Sequence, residues 1–308
     1  MKALRGLASV LLLAVLAVLW ASAVTAAEMP SELLFDDFSQ PDAAALARSG
    51  WTVRDKRGHP GIEGAAWGGD AVRLVDDPQQ PGNRLLRLQA RTDGTPKGTL
   101  QAQVCHARKY LEGTYAARVR FSDAPLEGPD GDVVVQTFYA VTPLRFDFDP
   151  EYSELDWEYL PNGGWGDERT RLYGVSWQTV RLKPWTSYNQ PLQAHRSVDG
   201  WHVLLMQVAG GRTRWFLDGA QLDEHGGRNY PVSPMSINFN LWFSPGGLLR
   251  RSEPRRYEQD VDWVLHAKGR VLSTDEVQAT VDALRRAGTS IVDTVPPASP
   301  ALPSSCDF

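Results

Sequence analysis

Three carboxylates stand at every second position in Glu154-Leu155-Asp156-Trp157-Glu158. A β-strand turns alternate side chains to opposite faces, so this spacing sets the three acids on one side and Leu155 and Trp157 on the other. Like charges on one face repel, and a face that only had to be soluble would intersperse Lys or Arg. Paired carboxyl groups are what glycoside hydrolysis uses: a carboxylate to attack the sugar carbon and a carboxylic acid to protonate the leaving oxygen. On an extended strand the Cα atoms of Glu154 and Glu158 lie about 13 Å apart, at ~3.3 Å per residue. Strand twist and two long side chains must close that gap to about 5–5.5 Å for retention, or about 6.5–9.5 Å for inversion.

The acids need a sheet to hold them. Upstream, the β-branched and aromatic run 133–141 reads as a strand, and Tyr159, Leu160 and the turn Pro161-Asn162-Gly163-Gly164 follow directly. The acidic strand is therefore expected to be internal. A first strand is predicted around Leu34-Phe35-Asp36-Asp37-Phe38. Further strands are predicted at 71–75, 84–90, 99–105, 114–121, 153–160, 171–180, 201–209, 212–217, 235–243 and 260–267, with Pro, Gly and Asp clusters between them. Asp218-Gly219 marks a hairpin turn. One helix is predicted near the end: Ser273-Thr274-Asp275-Glu276 is a capping box, Val277, Val281 and Leu284 share a face, and Gly288 stops it. Many short strands and little helix predict an all-β sandwich or barrel.

Residues 1–27 read as a removable export signal, with Lys2 and Arg5 ahead of the apolar run Val10 to Trp20 and small residues at the end. Without them the chain has 30 basic and 37 acidic residues, a net charge of about −7, which argues against a nucleic-acid partner. After signal removal no stretch approaches the length of a membrane span, so no membrane association is expected. The expected location is extracellular or periplasmic. The organisation read from the sequence is one β-sandwich domain at 28–270, a helix at 271–290 and a Pro-rich extended tail at 291–308. Cys105 and Cys306 are the two cysteines. In an exported chain they either pair, pinning the tail to the body, or remain as two thiols.

Ser153-Glu154-Leu155-Asp156-Trp157-Glu158-Tyr159-Leu160 resembles the catalytic strand of glycoside hydrolase family 16 in its unbulged ExDxE form. Gly113-Thr114-Tyr115-Ala116-Ala117-Arg118-Val119 is similar to a second strand of that family. His202 with Trp215-Phe216-Leu217-Asp218-Gly219, and Asp260-Val261-Asp262-Trp263-Val264, are similar to others. The resemblance runs from about Phe35 to His266. Ala116 stands where Glu is common, Val208 where Trp often follows the His, and the strand at Tyr173-Gly174-Val175-Ser176-Trp177 lacks a His-Thr pair. The resemblance implies a concanavalin A-like jelly roll of two packed antiparallel sheets, one of them forming a glycan cleft. It also implies a retaining endo-β-glycanase, with Glu154 as nucleophile, Glu158 as general acid/base, and Asp156 bonded to Glu154 and helping to keep Glu158 protonated. No catalytic cofactor is implied. A structural calcium on the convex face is, with Asp262 at the position of its side-chain ligand.

A glycan cleft also needs aromatic platforms for sugar rings. The chain has 11 Trp, more than a core of this size requires. Trp242 and Trp177 are the first candidates, followed by Tyr152, Trp165, Trp185 and Tyr188. Tyr152 is in phase with Glu154 if the strand begins that early, and Asn240 shares the face of Trp242 and could bind a sugar hydroxyl. His195, His106 and His225 have no partner spacing and read as surface residues. The expected partner is a polysaccharide, β-glucan foremost, and the expected state is a monomer. Two alternatives stay open: a transglycosylase with the same chemistry, and a lectin-like module, in which the acids would be expected to lapse.

Overall fold

The alternating strands pack as two sheets, face to face, in a computed structural model that describes residues 29–302 and 306. The expected export signal, residues 1–27, lies outside the described residues. One sheet carries the acids. Its order is β11 (Thr186–Ala194), β10 (Arg171–Arg181), β9 (Glu154–Leu160), β8 (Val134–Val141), β15 (Ser236–Phe243), β6 (Leu100–Cys105) and β2 (Thr52–Val53), all antiparallel. The second sheet runs β4 (Val72–Asp76), β5 (Arg84–Thr92), β16 (Arg255–Lys268), β7 (Gly113–Phe121), β12 (Gly200–Ala209), β13 (Arg212–Leu217) and β14 (Ala220–Gly226). Beyond β5, the far half of β16 pairs with β1 (Leu33–Asp36), and β1 pairs in turn with β17 (Ile291–Asp293). A short parallel strand, β3 (Ala66–Trp67), joins β6.

The acids owe their position to what lies beneath them. Leu155, Trp157 and Tyr159 point inward and are fully buried with Phe138, Ala140 and Phe239 of their own sheet and Val119, Leu204 and Trp215 of the other. A one-residue slip of β9 would bury the carboxyls and expose Leu155 and Trp157, so this core fixes the register. Trp157 meets Trp215 edge to face, with ring centroids 5.0 Å apart. Truncating Trp157 to Ala would cost about 3–5 kcal/mol. Gly174 of β10 makes room for this packing, because a Cβ there would sit 2.9 Å from the Trp215 ring.

The outer face of the second sheet is covered by α2 (Thr274–Arg286), which seats Val277, Val281 and Leu284 on Phe35, Ala116, Leu205 and Trp263. Ser273 and Glu276 form the predicted capping box, and Asp218 and Gly219 form the predicted turn, both with positive φ. Among the described residues no helix is long and apolar enough to cross a membrane.

Several expectations need correction. The hairpin partner β11 and strand β14 escaped prediction, as did the helix α1 (Ala43–Arg48). β11 is interrupted by Pro191, and β14 carries Gln, Asp, Glu and His, so neither has an apolar run to signal it. The tail is not loose: β17 adds to β1, and Lys109 Nζ bonds both Asp293 oxygens and the Val295 carbonyl. The pairing of Cys105 with Cys306, one of the two states open from the sequence, needs no correction: the bond is present and closes a span of 201 residues. Cross-links of this kind stabilise by about 2–4 kcal/mol, mainly by restricting the unfolded chain. His106 and His225 are buried rather than on the surface: His106 bonds Tyr110 and the Ser49 carbonyl, and His225 sits between Ser176 and Trp215.

Candidate active site

The outward face of the first sheet forms a cleft of about 760 Å³, and Glu154, Asp156 and Glu158 line its floor together. Across the ladder Glu158 lies between Thr137 and Tyr173, Asp156 between Tyr139 and Val175, and Glu154 beside Trp177; all five neighbours line the same cleft. Glu154 is 6 % exposed and Asp156 4 %, while Glu158 is more open to solvent. No Lys or Arg lines the cleft among the described residues, so no cation offsets the acids there.

Aromatic donors take the place of cations. The Tyr152 hydroxyl donates to Glu154, and the Trp177 indole N–H donates to Asp156 at 2.6 Å. The indole of Trp165 acts on Glu158. These contacts only partly counter desolvation. Burial raises Glu154 to about 7, with Tyr152 and Asp156 pulling in the opposite direction. Burial and the charge of Glu154 raise Glu158 to about 8. Asp156 is raised well above the usual carboxylate range, by burial and then by the charges of Glu154 and Glu158. Its Oδ1 accepts from no protein donor, and the neighbouring Glu154 carboxyl further raises Asp156 while Asp156 in turn lowers Glu154. The three titrate as one system.

The expected platforms separate into two groups. Trp242, Trp165 and Trp177 line the cleft, and Trp165 leans on Trp242 with ring centroids 5.9 Å apart. Trp165 adopts φ 55° in a loop with Gly163, Gly164 and Gly166. A left-handed conformation at a bulky residue costs on the order of 1 kcal/mol, and here it turns the indole over Glu158 and Trp242. Asn240 also lines the cleft, its side chain held between Thr137 and Tyr139. Tyr152 is different. It is 1 % exposed, packed with Tyr139, Val141 and Val180, and offers no face to a sugar. It precedes β9, where the chain has not yet taken up strand alternation, so its hydroxyl reaches Glu154 from the side. Tyr188 faces away from the cleft and packs on Phe148, because Ser187, Asn189 and Pro191 take the cleft face of β11. The sequence reading missed Tyr139, Tyr173 and the loop residues His59 and Pro60. Tyr173 is in phase with Trp177 on β10, and that phase could have pointed to it, while nothing local marks Tyr139 or the loop.

Asp262 does not suit a calcium ion. Its carboxylate receives Arg118 at 2.8 Å, Arg285 at 2.8 Å and the Asn83 amide at 2.9 Å. Burial pushes its pKa up, but Arg285, Asn83 and Arg118 outweigh that and hold it below the usual range. Two guanidinium groups occupy the approaches a cation would use, and a calcium site requires six or more oxygen ligands. Among the described residues no cluster of three or more His, Cys, Asp or Glu could hold a metal.

No protein-family model matches the sequence, and no curated protein matches it. Solved structures do. A Bacillus licheniformis β-glucanase superposes with a TM-score of 0.55 at 16% identity, over 77% of this chain and 98% of that one. A Bacteroides ovatus family 16 enzyme from a mixed-linkage-glucan locus, solved with a G4G4G3G product, gives 0.57 at 14% identity, over 75% and 98%. A laminarinase-type protein, LamA of Zobellia galactanivorans, solved with laminaritriose and laminaritetraose, gives 0.54 at 12% identity, over 76% and 98%. These chains are covered almost end to end by the two sheets that carry the cleft. The protein has the β-sandwich fold of the glycoside hydrolase family 16 glucanases.

Proposed function

We propose that the protein is an exported, retaining endo-β-glycanase of glycoside hydrolase family 16 that hydrolyses a neutral β-linked polysaccharide, β-glucan foremost. The observation that carries this reading is the set of three carboxyls on one strand, facing a cleft walled by Trp165, Trp177 and Trp242 and lined, among the described residues, by no Lys or Arg. Flat apolar sugar faces suit indole walls. A sulfated or uronate polymer would meet three acids and, among the described lining residues, no Lys or Arg. The structural neighbours include β-glucanases, and some of the neighbours were solved with gluco-oligosaccharides. The cystine and the residue pattern of 1–27 support export.

In this mechanism a Glu154 oxygen attacks the anomeric carbon as the glycosidic C–O bond breaks, and the Glu158 proton passes to the departing oxygen. Water then attacks the glycosyl ester, Glu158 takes its proton, and Glu154 leaves as carboxylate. Burial raises both glutamates into the neutral range, so the coupled set can hold one carboxylate beside one carboxylic acid, as the two roles require. The chemistry is complete with these groups and water. The test is a panel of β-1,3, β-1,4 and mixed-linkage glucans, xyloglucan and galactans, read by reducing ends, with NMR of the first product's anomer. A β-anomer from a β-glucan supports the proposal; an α-anomer refutes retention. Binding without turnover across the panel would refute hydrolysis and favour a lectin-like module. For Glu158→Ala, turnover of an activated aryl glycoside should suffer less than that of the polysaccharide, and azide should restore deglycosylation.

A further inference from the structure

The loop between β2 and β3 is anchored at one edge of the cleft sheet. Buried Arg54 donates to Gln103 of β6 at 2.9 Å and to the carbonyls of Lys56 and His59 at 2.8 and 3.0 Å, with its guanidinium 4.1 Å from the Trp67 ring centroid. Gly61 lies directly on Gln101 of β6, where a Cβ would come within 2.4 Å of the side-chain amide. The hairpin of β10 and β11 forms the opposite edge, and Trp185 stands in its turn. Trp185 meets Trp177 edge to face at 6.1 Å and, on its other side, meets His59 at 6.2 Å between ring centroids. The two edges of the sheet therefore touch above its face. β6, β15, β8, β9 and β10 make the floor of a closed ring, and the anchored loop and the hairpin turn make its arch. His59, Pro60 and Trp185 line the same cleft as the three acids.

We infer that His59 and Trp185 arch over the cleft, so that a glycan has to be passed beneath them by a free chain end. This rests on the glycanase reading and sharpens it: His59 and Trp185 select how the polymer enters, and the acids then cut a linkage within the threaded segment. An open groove can accept a chain anywhere along its length, so random internal cuts lower the viscosity of a polymer quickly for each reducing end formed. End loading concentrates the cuts near chain ends, so viscosity falls slowly and short products of narrow size appear early. The arch consists of two solvent-facing rings, with Trp185 54 % exposed, so truncating both leaves the hydrophobic core untouched.

The experiment follows viscosity and reducing ends together on whichever soluble glucan the panel shows to be cleaved fastest. It compares the full chain with the double variant His59→Ala, Trp185→Ala. The ratio of viscosity loss to reducing ends does not depend on overall rate, so a slower variant is still informative. The expected result is a severalfold higher ratio in the double variant, with a broader early product ladder and an unchanged unfolding midpoint. The single variant His59→Ala, which keeps the indole, should show the same direction if the double variant folds poorly. Equal ratios, both high, would overturn the arch while leaving the glycanase reading intact. Failure to cleave any glucan in the panel would overturn the glycanase reading itself, and the arch with it.

Discussion

The chain writes the same acidic spacing twice, and the sandwich treats the two copies in opposite ways. In β9 the acids are Glu154, Asp156 and Glu158; in β16 they are Glu258, Asp260 and Asp262. Both sets are largely buried. In β16 every acid has guanidinium partners: Arg87 and Arg256 on Glu258, Arg87 and Arg120 on Asp260, and Arg118 and Arg285 on Asp262. In β9 the donors that reach the acids from outside the set, among the described residues, are Tyr152, Trp165 and Trp177, which bring no charge. Alternate acids on a strand are thus not in themselves a catalytic signal. The difference lies in what the neighbouring strands place opposite them. Arginine neutralises and fixes one set, while aromatic donors leave the other set short of compensation and able to carry protons near neutral pH.

The largest effect expected from this contrast is on turnover. Glu154→Gln should lower turnover of the active glucan by roughly 10⁴-fold or more, because the nucleophile acts as a unit with its partners. It should leave the unfolding midpoint unchanged or higher at pH 8, since it removes a buried charge that nothing neutralises. Turnover within tenfold of wild type would remove Glu154 from the mechanism. The matching change in the other copy should do the reverse. Asp262→Asn leaves Arg118 and Arg285 facing a neutral amide, and should destabilise by about 3 kcal/mol, as expected when a buried pair loses one partner. Activity per folded molecule should persist, and urea denaturation beside initial rates separates the two quantities.

The pH dependence of stability should also divide the two sets. Glu154 and Glu158 are raised from 4.5 to about 7 and about 8. The folded state therefore holds protons that the unfolded state has released, and their contribution is full below about pH 4.5 and is lost as pH rises through 7 and 8. Asp262 is depressed, so its contribution is present above its ordinary value of 3.8 and is lost only in stronger acid. Denaturation midpoints across pH 5 to 8.5 should fall in the wild type and flatten in Glu154→Gln, Glu158→Gln. A fall of equal size in that variant would contradict the assignment.

The smallest effects concern the donors. In the free enzyme kcat/KM should rise through about pH 7 and fall beyond about pH 8, as ionised Glu154 and protonated Glu158 are both required. Tyr152 favours the ionised form of Glu154, so Tyr152→Phe should move the rising limb to higher pH. A limb displaced by one pH unit would lower the rate on its acid side by about tenfold. Asp156→Asn keeps a donor toward Glu154 and should move that limb less than Asp156→Ala does. A uniform loss of rate with the limb in place would mean that Tyr152 has only a packing role.

The two acidic strands also show what could be read in the sequence. Alternation placed Glu154, Asp156 and Glu158 on one face and Leu155 and Trp157 on the other, because strand geometry follows directly from residue order. It could not distinguish β9 from β16, since partners such as Arg87, Arg118 and Arg285 come from β5, β7 and α2, and their approach depends on sheet order. Tyr152 illustrates the same limit on a smaller scale. Counting puts it in phase with Glu154, yet it lies ahead of the strand, and its ring sits in a pocket closed by Val141 and Val180. Trp177, Trp242 and Asn240 were legible because they sit within regular strands. The His59 loop was not, because its position is set by Arg54 reaching Gln103, 49 residues later.

The bond between Cys105 and Cys306 has a consequence for the order in which the molecule is made. Cys105 ends β6, and its partner emerges 201 residues later, after β7 through β17 and α2 have all been synthesised. No partial chain can close this link, however well its early strands pair. The cystine therefore forms only after both sheets and α2 have been synthesised, and a chain interrupted between β6 and residue 306 carries Cys105 without its partner. That thiol would distinguish unfinished molecules from finished ones to any oxidising machinery they pass.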